Sequence, residues 1–455
     1  MKLGHLVGII FALGILISVE LISAKKVKNA EDFDKGGGKS GLFMVCGALL
    51  GSLIGGQSTI GTAQLAYVYG MSSIWFTMGA ALGCVALFLG YIIPLRKSHD
   101  TTLMEVVGDR FGAKAEYIGS VLCSAGILVS VVSNIIASAA LITALSGWPL
   151  WAGCMTSAVL MCAYVVFGGV IGAEMGGIVK VILLCFTTII CIVVVFCLSG
   201  EIGPGTALDV NIKDLFARGF GKEIANCFSL ILGVLSTQTY AQAIWSAKSY
   251  HVARKAALLS GALCIPVGIG GMLVGLYMRT RELSNPAEAF PRFLLENLNP
   301  VVGGICIGAL LITVVTGGGG LVLGVSTIFV RDIFGKIKEN ILVGKNHIFA
   351  MRMTIAFTLA LTTITAIMIP GAMINDLGFL SMGLRGTVVF VPLTIALYFK
   401  GGFRPRAIET SMIAGPSALI ISHFVDIGEP LIIGVSVSII ICLIGCKRTE
   451  MEILK

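Results

Sequence analysis

The sequence predicts an all-α polytopic membrane protein with about 13 transmembrane helices, ten of them forming two five-helix repeats of inverted orientation. The mean hydropathy is +0.97, and 56% of the 455 residues are hydrophobic, whereas only 12% are charged. Soluble domains carry about 25% charged residues, so this composition excludes a soluble protein. The repeat is predicted from two apolar spans that lie five spans apart and that polar residues interrupt midway.

Thirteen apolar runs come close to the ~20 residues that a helix needs to cross the hydrocarbon core. They lie at 5–23, 41–66, 71–95, 117–146, 150–168, 174–199, 223–247, 255–278, 302–330, 350–370, 373–399, 406–424 and 430–446. Spans 2–6 and 7–11 make up the two repeats, with one span before them and two accessory spans after them. The chain thus divides into four regions, at 1–40, 41–199, 200–399 and 400–455.

The distribution of basic residues predicts the orientation of the spans. With the N-terminus outside, the cytoplasmic segments carry 23 of the 32 Lys and Arg residues and the external segments carry seven. We therefore expect an integral protein of the plasma membrane with its C-terminus in the cytoplasm. The formal charge of +8 reflects these short loops and does not indicate nucleic-acid binding.

The second span is unusual at its centre, where Gly51, Gly55 and Gly56 lead into Gln57 and Ser58. A helix that faces lipid has no use for polar side chains and glycines at mid-depth. Interrupted backbone is tolerated in a bilayer where it lines a cavity walled by protein, and transporters bind solute and ions at such breaks. Close helix packing through small residues at every fourth position is the alternative, and both interpretations can hold.

The seventh span is interrupted in the same way by Ser236, Thr237, Gln238 and Thr239. Two interrupted spans of opposite direction, five helices apart, are typical of an inverted five-plus-five repeat. A pair of ordinary helices with scattered polar residues is the alternative interpretation.

Two basic residues lie inside predicted spans and are therefore candidate functional residues. Lys180 lies one to two turns inside the sixth span, from where its ammonium group could also reach the interface by snorkelling. Arg385 lies near the middle of the eleventh span, and no carboxylate is expected at a comparable depth in any span. An unpaired cation there suits a substrate carboxylate, with a backbone carbonyl or ordered water as the alternative partner.

The ninth span carries four consecutive glycines, Gly317–Gly320, directly after Thr313 and Thr316. Glycines are unfavourable in a helix, so this run indicates either a close backbone approach or a local break.

Other classes of protein find little support in the sequence. The five histidines and 13 cysteines form no HExxH motif and no metal-like spacing, so we predict neither an enzyme nor a bound cofactor. Residues 34–40 end like a phosphate-binding loop, but Phe33 replaces the required first glycine and a membrane span follows. A channel or a sensor is the alternative class.

Several motifs in a fixed order give the chain a resemblance to a known family. They are Glu31-Asp32-Phe33, the stretch 55–76, Gly168-Gly169, Gln242 with 247–249 and 253–256, Phe329-Val330-Arg331-Asp332, and Leu384-Arg385-Gly386 with Pro392. Together they resemble the solute:sodium symporter family over nearly the whole chain. The resemblance implies the LeuT-type fold and secondary active transport by alternating access, with a small organic solute moved alongside sodium.

The resemblance also implies a main sodium site between the second and ninth spans. By ungapped alignment, its ligands are the backbone carbonyls of Gly51 and Ile54 and oxygens of Thr313, Thr316 and position 317. Position 317 is glycine here, so one hydroxyl ligand is missing. A second sodium site, present in some members, falls on Gly177, Gly319 and Gly320 and is expected to be absent.

Lys180 follows the lost acidic position by one turn. In sodium-independent relatives of this fold, a basic side chain on the same helix fills the vacant cation position, which makes Lys180 a candidate surrogate for the cation. A desolvated lysine can lose its proton. Proton-coupled or sodium-independent transport is therefore the alternative to sodium symport.

The substrate pocket implied by the resemblance lies at the two helix breaks, where Gln57 and Ser58 face Ser236 and Gln238. Helix N-termini exposed at such breaks favour an anionic group. Together with Arg385 they predict a small solute that is neutral and polar or carries a carboxylate, in preference to a cation. The expected partners of the chain are the lipid bilayer, this solute, and Na⁺ or H⁺.

Overall fold

The structure is a computed structural model that describes residues 2–24, 39–98, 100–199, 214–335, 344–425, 427–446 and 452–453. The described chain is almost wholly helical, as a bilayer requires, because a helix satisfies its own backbone polar groups. The predicted fold class is confirmed. The Glu31-Asp32-Phe33 motif lies outside the described residues.

The first half of the chain forms eight α-helices, with one 3₁₀ and two π-helical segments between them. In order these are α1 (Leu3–Ala24), α2 (Leu42–Leu53), a π-helical turn (Gln57–Gly61), α3 (Thr62–Tyr69), a 3₁₀ turn (Gly70–Ile74), α4 (Trp75–Ala86), a π-helical segment (Leu87–Tyr91), α5 (Ile92–Ser98), α6 (Leu103–Phe111), α7 (Ala113–Ser146) and α8 (Leu150–Ser199).

The second half continues with ten α-helices and one short strand pair. In order these are α9 (Phe220–Leu235), α10 (Gln238–Ser246), α11 (Tyr250–Met278), a 3₁₀ turn (Pro286–Glu288), α12 (Ala289–Asn297), α13 (Pro300–Ile328), a π-helical segment (Phe329–Phe334), α14 (Gly344–Met368), α15 (Ile374–Arg385), a π-helical segment (Gly386–Phe390), α16 (Val391–Tyr398), β1 (Phe399–Lys400), α17 (Pro405–Val425), α18 (Pro430–Ile444) and β2 (Glu452–Ile453). The two strands pair antiparallel.

Eight helices of the described chain are long and apolar enough to cross a membrane, or nine if the bent pair α9–α10 counts as one span. Shorter apolar helices, among them Leu3–Val19 and Pro430–Ile444, overlap further predicted spans. Every predicted run overlaps a helix, but the count of 13 crossings stays a prediction.

The second span is broken where its glycines and polar residues indicate. α2 ends at Leu53, and Ile54 adopts an extended conformation with φ −98° and ψ 97°. Helical structure resumes as a π-helical turn from Gln57. The predicted interruption at the centre of this span is confirmed.

The chain then reverses, so that the second and third spans run in opposite directions. Gly70 ends α3 with φ 73°, a left-handed value that favours glycine. At the far end of the third span, Arg96 donates to the carbonyls of Ile244 and Ala247. Ser40, just before α2, pairs with the same Ala247. The start of the second span and the end of the third span therefore lie on one side of the molecule.

The seventh span is also broken, because α9 and α10 meet at an angle of 47°. Ser236 and Thr237 lie between the two helices outside helical geometry. Two breaks, five spans apart, are the feature that the inverted repeat predicts. The alternative interpretation, a pair of ordinary continuous helices with scattered polar residues, is therefore wrong.

The predicted loop at 169–173 between the fifth and sixth spans is wrong, because α8 continues through it as helix. Met161 nevertheless lies against Gly318, and the ammonium nitrogen of Lys180 lies near Gly317. A straight helix would separate residues 161 and 180 by ~28 Å, too far for both to reach adjacent glycines. α8 therefore bends back between them.

α13 lies at the centre of the molecule and is buried over most of its length. Its four glycines, Gly317–Gly320, stay helical, so the local break proposed for them is wrong and the close approach holds. A Cβ at Gly317 would come 2.9 Å from the Cα of Gly55, and a Cβ at Gly318 would meet the Met161 side chain. The glycines thus let α13 contact the first helix break directly.

Candidate functional site

Asn134 of α7 stabilises the first break. Its Oδ1 accepts a hydrogen bond from the Gly56 N–H at 2.9 Å, and its Nδ2 donates to the Ser130 carbonyl at 2.9 Å. The backbone leaves helical geometry here, and without the asparagine the buried Gly56 N–H would lack this acceptor. Gly317 of α13 lies beside the same amide, so Asn134 connects α7, α13 and the break.

Gln57 and Ser58 are buried at this break, 6% and 1% exposed. The Ser58 hydroxyl donates to the Leu53 carbonyl at 3.1 Å and so satisfies an acceptor at the end of α2. Gln57 Nε2 lies 3.4 Å from the Ser130 hydroxyl, and its amide packs against Gly378 of α15. Gln57 therefore presents a weakly bonded amide between α7 and α15, whereas Ser58 is bonded to backbone.

The second break places polar groups at the centre of the helix bundle. Thr237 donates its hydroxyl hydrogen to the Gly233 carbonyl. The Ser236 hydroxyl is fully buried and has no hydrogen-bond partner among the described residues. The same holds for the hydroxyls of Thr239 and Tyr240 on α10. This break therefore offers unsatisfied hydroxyls to a bound molecule.

Gln238 is the first residue of α10, and its side chain has two backbone partners. Its Oε1 accepts from the Leu103 N–H at 2.9 Å, and its Nε2 donates to the Thr101 carbonyl at 2.9 Å. Both ends of the amide thus hold the segment that opens α6. The substrate-binding role of Gln238 stays a prediction. In the structure its side chain also fixes the backbone at the start of α6.

Arg385 is wholly buried at the end of α15 and connects α15 and α7 to the second break. Its Nη1 donates to the Thr237 hydroxyl at 2.7 Å, and its Nη2 donates to the hydroxyls of Ser130 at 3.1 Å and Ser381 at 2.9 Å. No carboxylate forms an ion pair with Arg385 among the described residues. Neutral oxygens compensate a buried charge incompletely, and the substrate-binding role of Arg385 stays a prediction.

The implied cation site contains a protein ammonium group. Lys180 is fully buried, and its Nζ donates to the Gly51 carbonyl at 2.7 Å. The hydroxyls of Thr313 and Thr316 donate to carbonyls of their own helix, Ala309 and Thr313. Snorkelling of Lys180 is therefore wrong. A sodium ion on the Gly51 carbonyl would need the ammonium group to move away.

The second sodium site was expected to be absent, and its helix geometry supports that prediction. A Cβ at Gly177 of α8 would overlap the backbone carbonyl of Gly47. No carboxylate-bearing side chain fits at that position without separating α2 from α8.

Two functional candidates were missed at the level of sequence. Asn134 sits in the middle of the fourth span, and its polar side chain in an apolar run was the available signal. Asp332 was placed just beyond the ninth span, yet it is 3% exposed within the helical run from Pro300 to Phe334. Asp332 lies at the end of this run and not at mid-span, so the expectation that no carboxylate lies at a depth comparable to that of Arg385 stays a prediction.

A cluster of charged side chains around Arg218, termed the Arg218 cluster, lies near the Gly70 end of α3. Arg218 binds Glu223 through Nε at 2.9 Å and Nη2 at 3.0 Å, and it binds Asp376 through Nη1 at 2.9 Å. Its guanidinium also lies over the rings of Tyr69 at 5.5 Å and Phe379 at 5.4 Å. Arg218 therefore joins the end of α3 to the start of α15, the two helices that flank Gln57.

Comparison with known sequences identifies the family. The family model described as "Sodium:solute symporter family" matches residues 33–415. The high-affinity choline transporter 1 of Drosophila melanogaster is 22% identical over 88% of this chain and 67% of its own length. The high-affinity proline transporter PutP of Bacillus subtilis is 20% identical over 89% of both chains. The uncharacterized symporter YwcA of Bacillus subtilis is 27% identical, over 40% of this chain and 36% of its own length.

Comparison with solved structures confirms the LeuT-type fold. A Na⁺-coupled sialic acid symporter in a substrate-bound, outward-open state superposes with a TM-score of 0.81 at 14% identity, covering 100% of this chain and 99% of that one. Mhp1, a nucleobase-cation-symport-1 family transporter, superposes with a TM-score of 0.60 at 12% identity, over 92% and 94% of the chains. The chain belongs to the sodium:solute symporter family, whose members are transporters and not enzymes.

Proposed function

We propose that the protein is a secondary active transporter that moves a small organic solute together with Na⁺ by alternating access. The observation that carries the proposal is the pair of helix breaks joined by one buried guanidinium. Arg385 contacts Thr237 at one break and Ser130 beside the other, where Gln57 also reaches. Membership of the sodium:solute symporter family supports Na⁺ as the coupling ion.

We propose a solute that is neutral and polar or carries a carboxylate. Gln57, Ser58, Ser236, Gln238 and Arg385 form the proposed solute site. A buried guanidinium attracts carboxylates and repels cations. The named relatives include choline transporters, and choline is a cation, so we expect a different solute for this chain.

Uptake into proteoliposomes tests the proposal with a panel of proline, lactate, glucose and choline, each with and without an inward Na⁺ gradient. We expect Na⁺-dependent accumulation of a carboxylate-bearing or neutral member and none of choline. Arg385→Gln should lower that uptake by about tenfold or more, because a charge-assisted hydrogen bond contributes about 1.5–3 kcal/mol.

The matched control is Arg279→Gln, which removes an exposed arginine far from the breaks and should leave uptake unchanged. Accumulation of choline by the unmodified protein, or undiminished uptake of the preferred solute by Arg385→Gln, would contradict the proposed solute class. Accumulation of no panel member beyond equilibrium under a Na⁺ gradient would contradict sodium-coupled transport of these solutes.

A second candidate for the coupling mechanism rests on the 2.7 Å hydrogen bond from Lys180 Nζ to the Gly51 carbonyl. In this alternative the ammonium group replaces sodium at the site formed by Gly51, Ile54, Thr313 and Thr316. Proton loss from Lys180 would then remove the positive charge from this site, as sodium release does in sodium-coupled transport, and so couple the cycle to proton movement. Uptake that persists without Na⁺, responds to a pH gradient and is abolished by Lys180→Met would select this alternative.

A further inference from the structure

Asn375 is a buried carboxamide whose hydrogen-bonding groups are unused. The residue is 0% exposed, and neither Oδ1 nor Nδ2 has a hydrogen-bond partner among the described residues. A buried amide without partners is unfavourable, because both groups have lost their bonds to water. Asn375 is the second residue of α15, the helix that ends at Arg385. The unpaired amide therefore lies on a helix that already contributes to the proposed solute site.

The surrounding residues hold Asn375 in a fixed position without bonding its amide. The Ser133 hydroxyl of α7 donates to the Ile374 carbonyl at 2.7 Å, and Gln64 Oε1 of α3 accepts from the Ile374 N–H at 2.9 Å. A Cβ at Gly61, in the π-helical turn that follows the first break, would overlap Asn375 Oδ1. Two side chains thus fix the backbone beside Asn375, and a glycine leaves space for its amide. The amide is preorganised against this turn.

Asn375 shares one face of α15 with the residues around the proposed solute site. This face consists of Asn375, Gly378, Ser381 and Arg385, which are three or four positions apart. A Cβ at Gly378 would come 3.1 Å from Gln57 Cδ, so Gln57 packs on the middle of this face. The face therefore presents a carboxamide on one side of Gln57 and a guanidinium on the other.

The separation of these two groups limits the length of a solute that contacts both. Arg385 Nε donates to the Ser381 carbonyl at 3.1 Å and Nη2 donates to the Ser381 hydroxyl at 2.9 Å, so the guanidinium lies level with Ser381. Ser381 follows Asn375 by six positions, which is ~9 Å along a helix. A hydrogen bond of ~3 Å at each end leaves room for a solute of about three or four carbon atoms.

We propose that Asn375 is a specificity residue that binds the uncharged polar group of a short solute whose carboxylate faces Arg385. This inference rests on the proposed function and adds a hydroxyl or carboxamide group to the solute class. The side chain of asparagine supplies both a donor and an acceptor, as such a group requires. A solute without that group leaves the buried amide unpaired, so it binds less tightly.

Thermal unfolding of the purified full chain in NaCl tests this role with three pairs of acids, in which methyl groups replace the polar group at similar shape. The pairs are lactate with 2-methylpropanoate, 3-hydroxybutyrate with 3-methylbutanoate, and succinamate with 4-methylpentanoate. We expect the polar member of at least one pair to raise the unfolding midpoint with a half-saturating concentration about tenfold or more below that of its partner. Asn375→Leu should abolish this preference within the pair. Because it removes no hydrogen bond of the protein, it should not lower the midpoint without solute.

The matched control is Asn297→Leu, which replaces a half-buried asparagine bonded to the Phe293 carbonyl of its own helix and should keep the preference. Gly61→Ala gives a second test if Asn375→Leu does not fold, since it keeps the asparagine, displaces its amide and should reduce the preference.

Equal binding within every pair, no response to any of the six acids, or an undiminished preference in Asn375→Leu or Gly61→Ala would overturn this role of Asn375. Na⁺-driven uptake of proline or glucose would in that case leave the proposed function standing. Absence of Na⁺-driven uptake for the whole uptake panel would instead overturn the proposed function.

Discussion

Single side chains satisfy the backbone where the two helices are interrupted. At the first break Asn134 supplies the acceptor that the Gly56 N–H lacks within its own helix. At the second break the guanidinium of Arg385 donates to Thr237, whose hydroxyl donates in turn to Gly233. An interruption at the centre of a membrane protein is stable only when such partners exist, so these residues permit the breaks.

Asn134→Leu should destabilise the protein by about 1–3 kcal/mol, because it leaves a buried N–H unsatisfied. The measurement is the free energy of unfolding or the shift of the unfolding midpoint in detergent. Asn297→Ala is the control, since Asn297 is half-buried and its Nδ2 bonds the Phe293 carbonyl of its own helix. Equal effects of the two variants would show that Asn134 has no special role at the break.

Glycines determine how closely the helices around the site approach one another. A Cβ at Gly177 would overlap the Gly47 carbonyl, so α8 and α2 are in backbone contact where the family's second sodium ligand would lie. The Lys180 side chain leaves the same helix one turn later and reaches the Gly51 carbonyl. The same stretch of α8 therefore explains two features. Gly177 lets α8 approach α2 closely, and Lys180 places its ammonium group at the cation position.

Gly177→Ala should force α2 and α8 apart and lower stability by about 1–3 kcal/mol, the usual cost of overpacking. It should also weaken the contact between Lys180 and Gly51. Gly14→Ala is the matched control, because no atom lies within 4 Å of the Cβ position at Gly14 of α1. There the substitution should be neutral or stabilising by about 0.5–1 kcal/mol. Similar unfolding midpoints for the two variants would contradict this account of the helix contact.

The helices and their breaks were predictable from the sequence, whereas the hydrogen-bond partners were not. Apolar runs and their polar interruptions are local patterns, and the positions at 51–58 and 236–239 follow from them directly. Thr237 and Ser130, which bind Arg385, and the partners of Gln238 lie more than 100 positions away in the sequence, and no periodicity encodes those contacts. Asp332 was missed because the predicted span stopped two residues before it. The segment 169–173 was predicted as a loop because it lies between the apolar runs 150–168 and 174–199, whereas α8 is helical through it.

At the scale of the whole molecule, polar contacts join helices on both sides of the proposed solute site, and we expect each set of contacts to act as a closure in the transport cycle. The Arg218 cluster joins α3 to α15 on one side, and the Gln238 amide holds the start of α6 on the opposite side. Alternating access requires that one closure opens while the other holds. The two closures differ in chemistry, since one consists of ion pairs and the other of neutral amide hydrogen bonds.

Arg218→Gln should open the closure on the Arg218 side. Glu223 is fully buried, and breaking a buried ion pair costs about 3–5 kcal/mol because the remaining charge loses its partner. That cost falls on the closed form, so the equilibrium shifts toward the form that is open on this side. The measurement is the reaction rate of a cysteine placed at Ser58 with a membrane-impermeant thiol reagent, which we expect to increase about tenfold or more.

The matched control is Arg281→Gln, which removes an exposed pair in which Arg281 Nη1 and Glu296 lie 3.7 Å apart. Exposed pairs contribute about 0–1 kcal/mol, so labelling of the Ser58→Cys protein should stay unchanged. The Arg218→Gln protein without the introduced cysteine measures the background from the 13 native thiols. Labelling that rises equally in the Arg281→Gln protein would assign the effect to general loosening. Labelling that fails to rise in the Arg218→Gln protein would mean that the ion pairs do not close the site, and that the aromatic contacts of Tyr69 and Phe379 suffice.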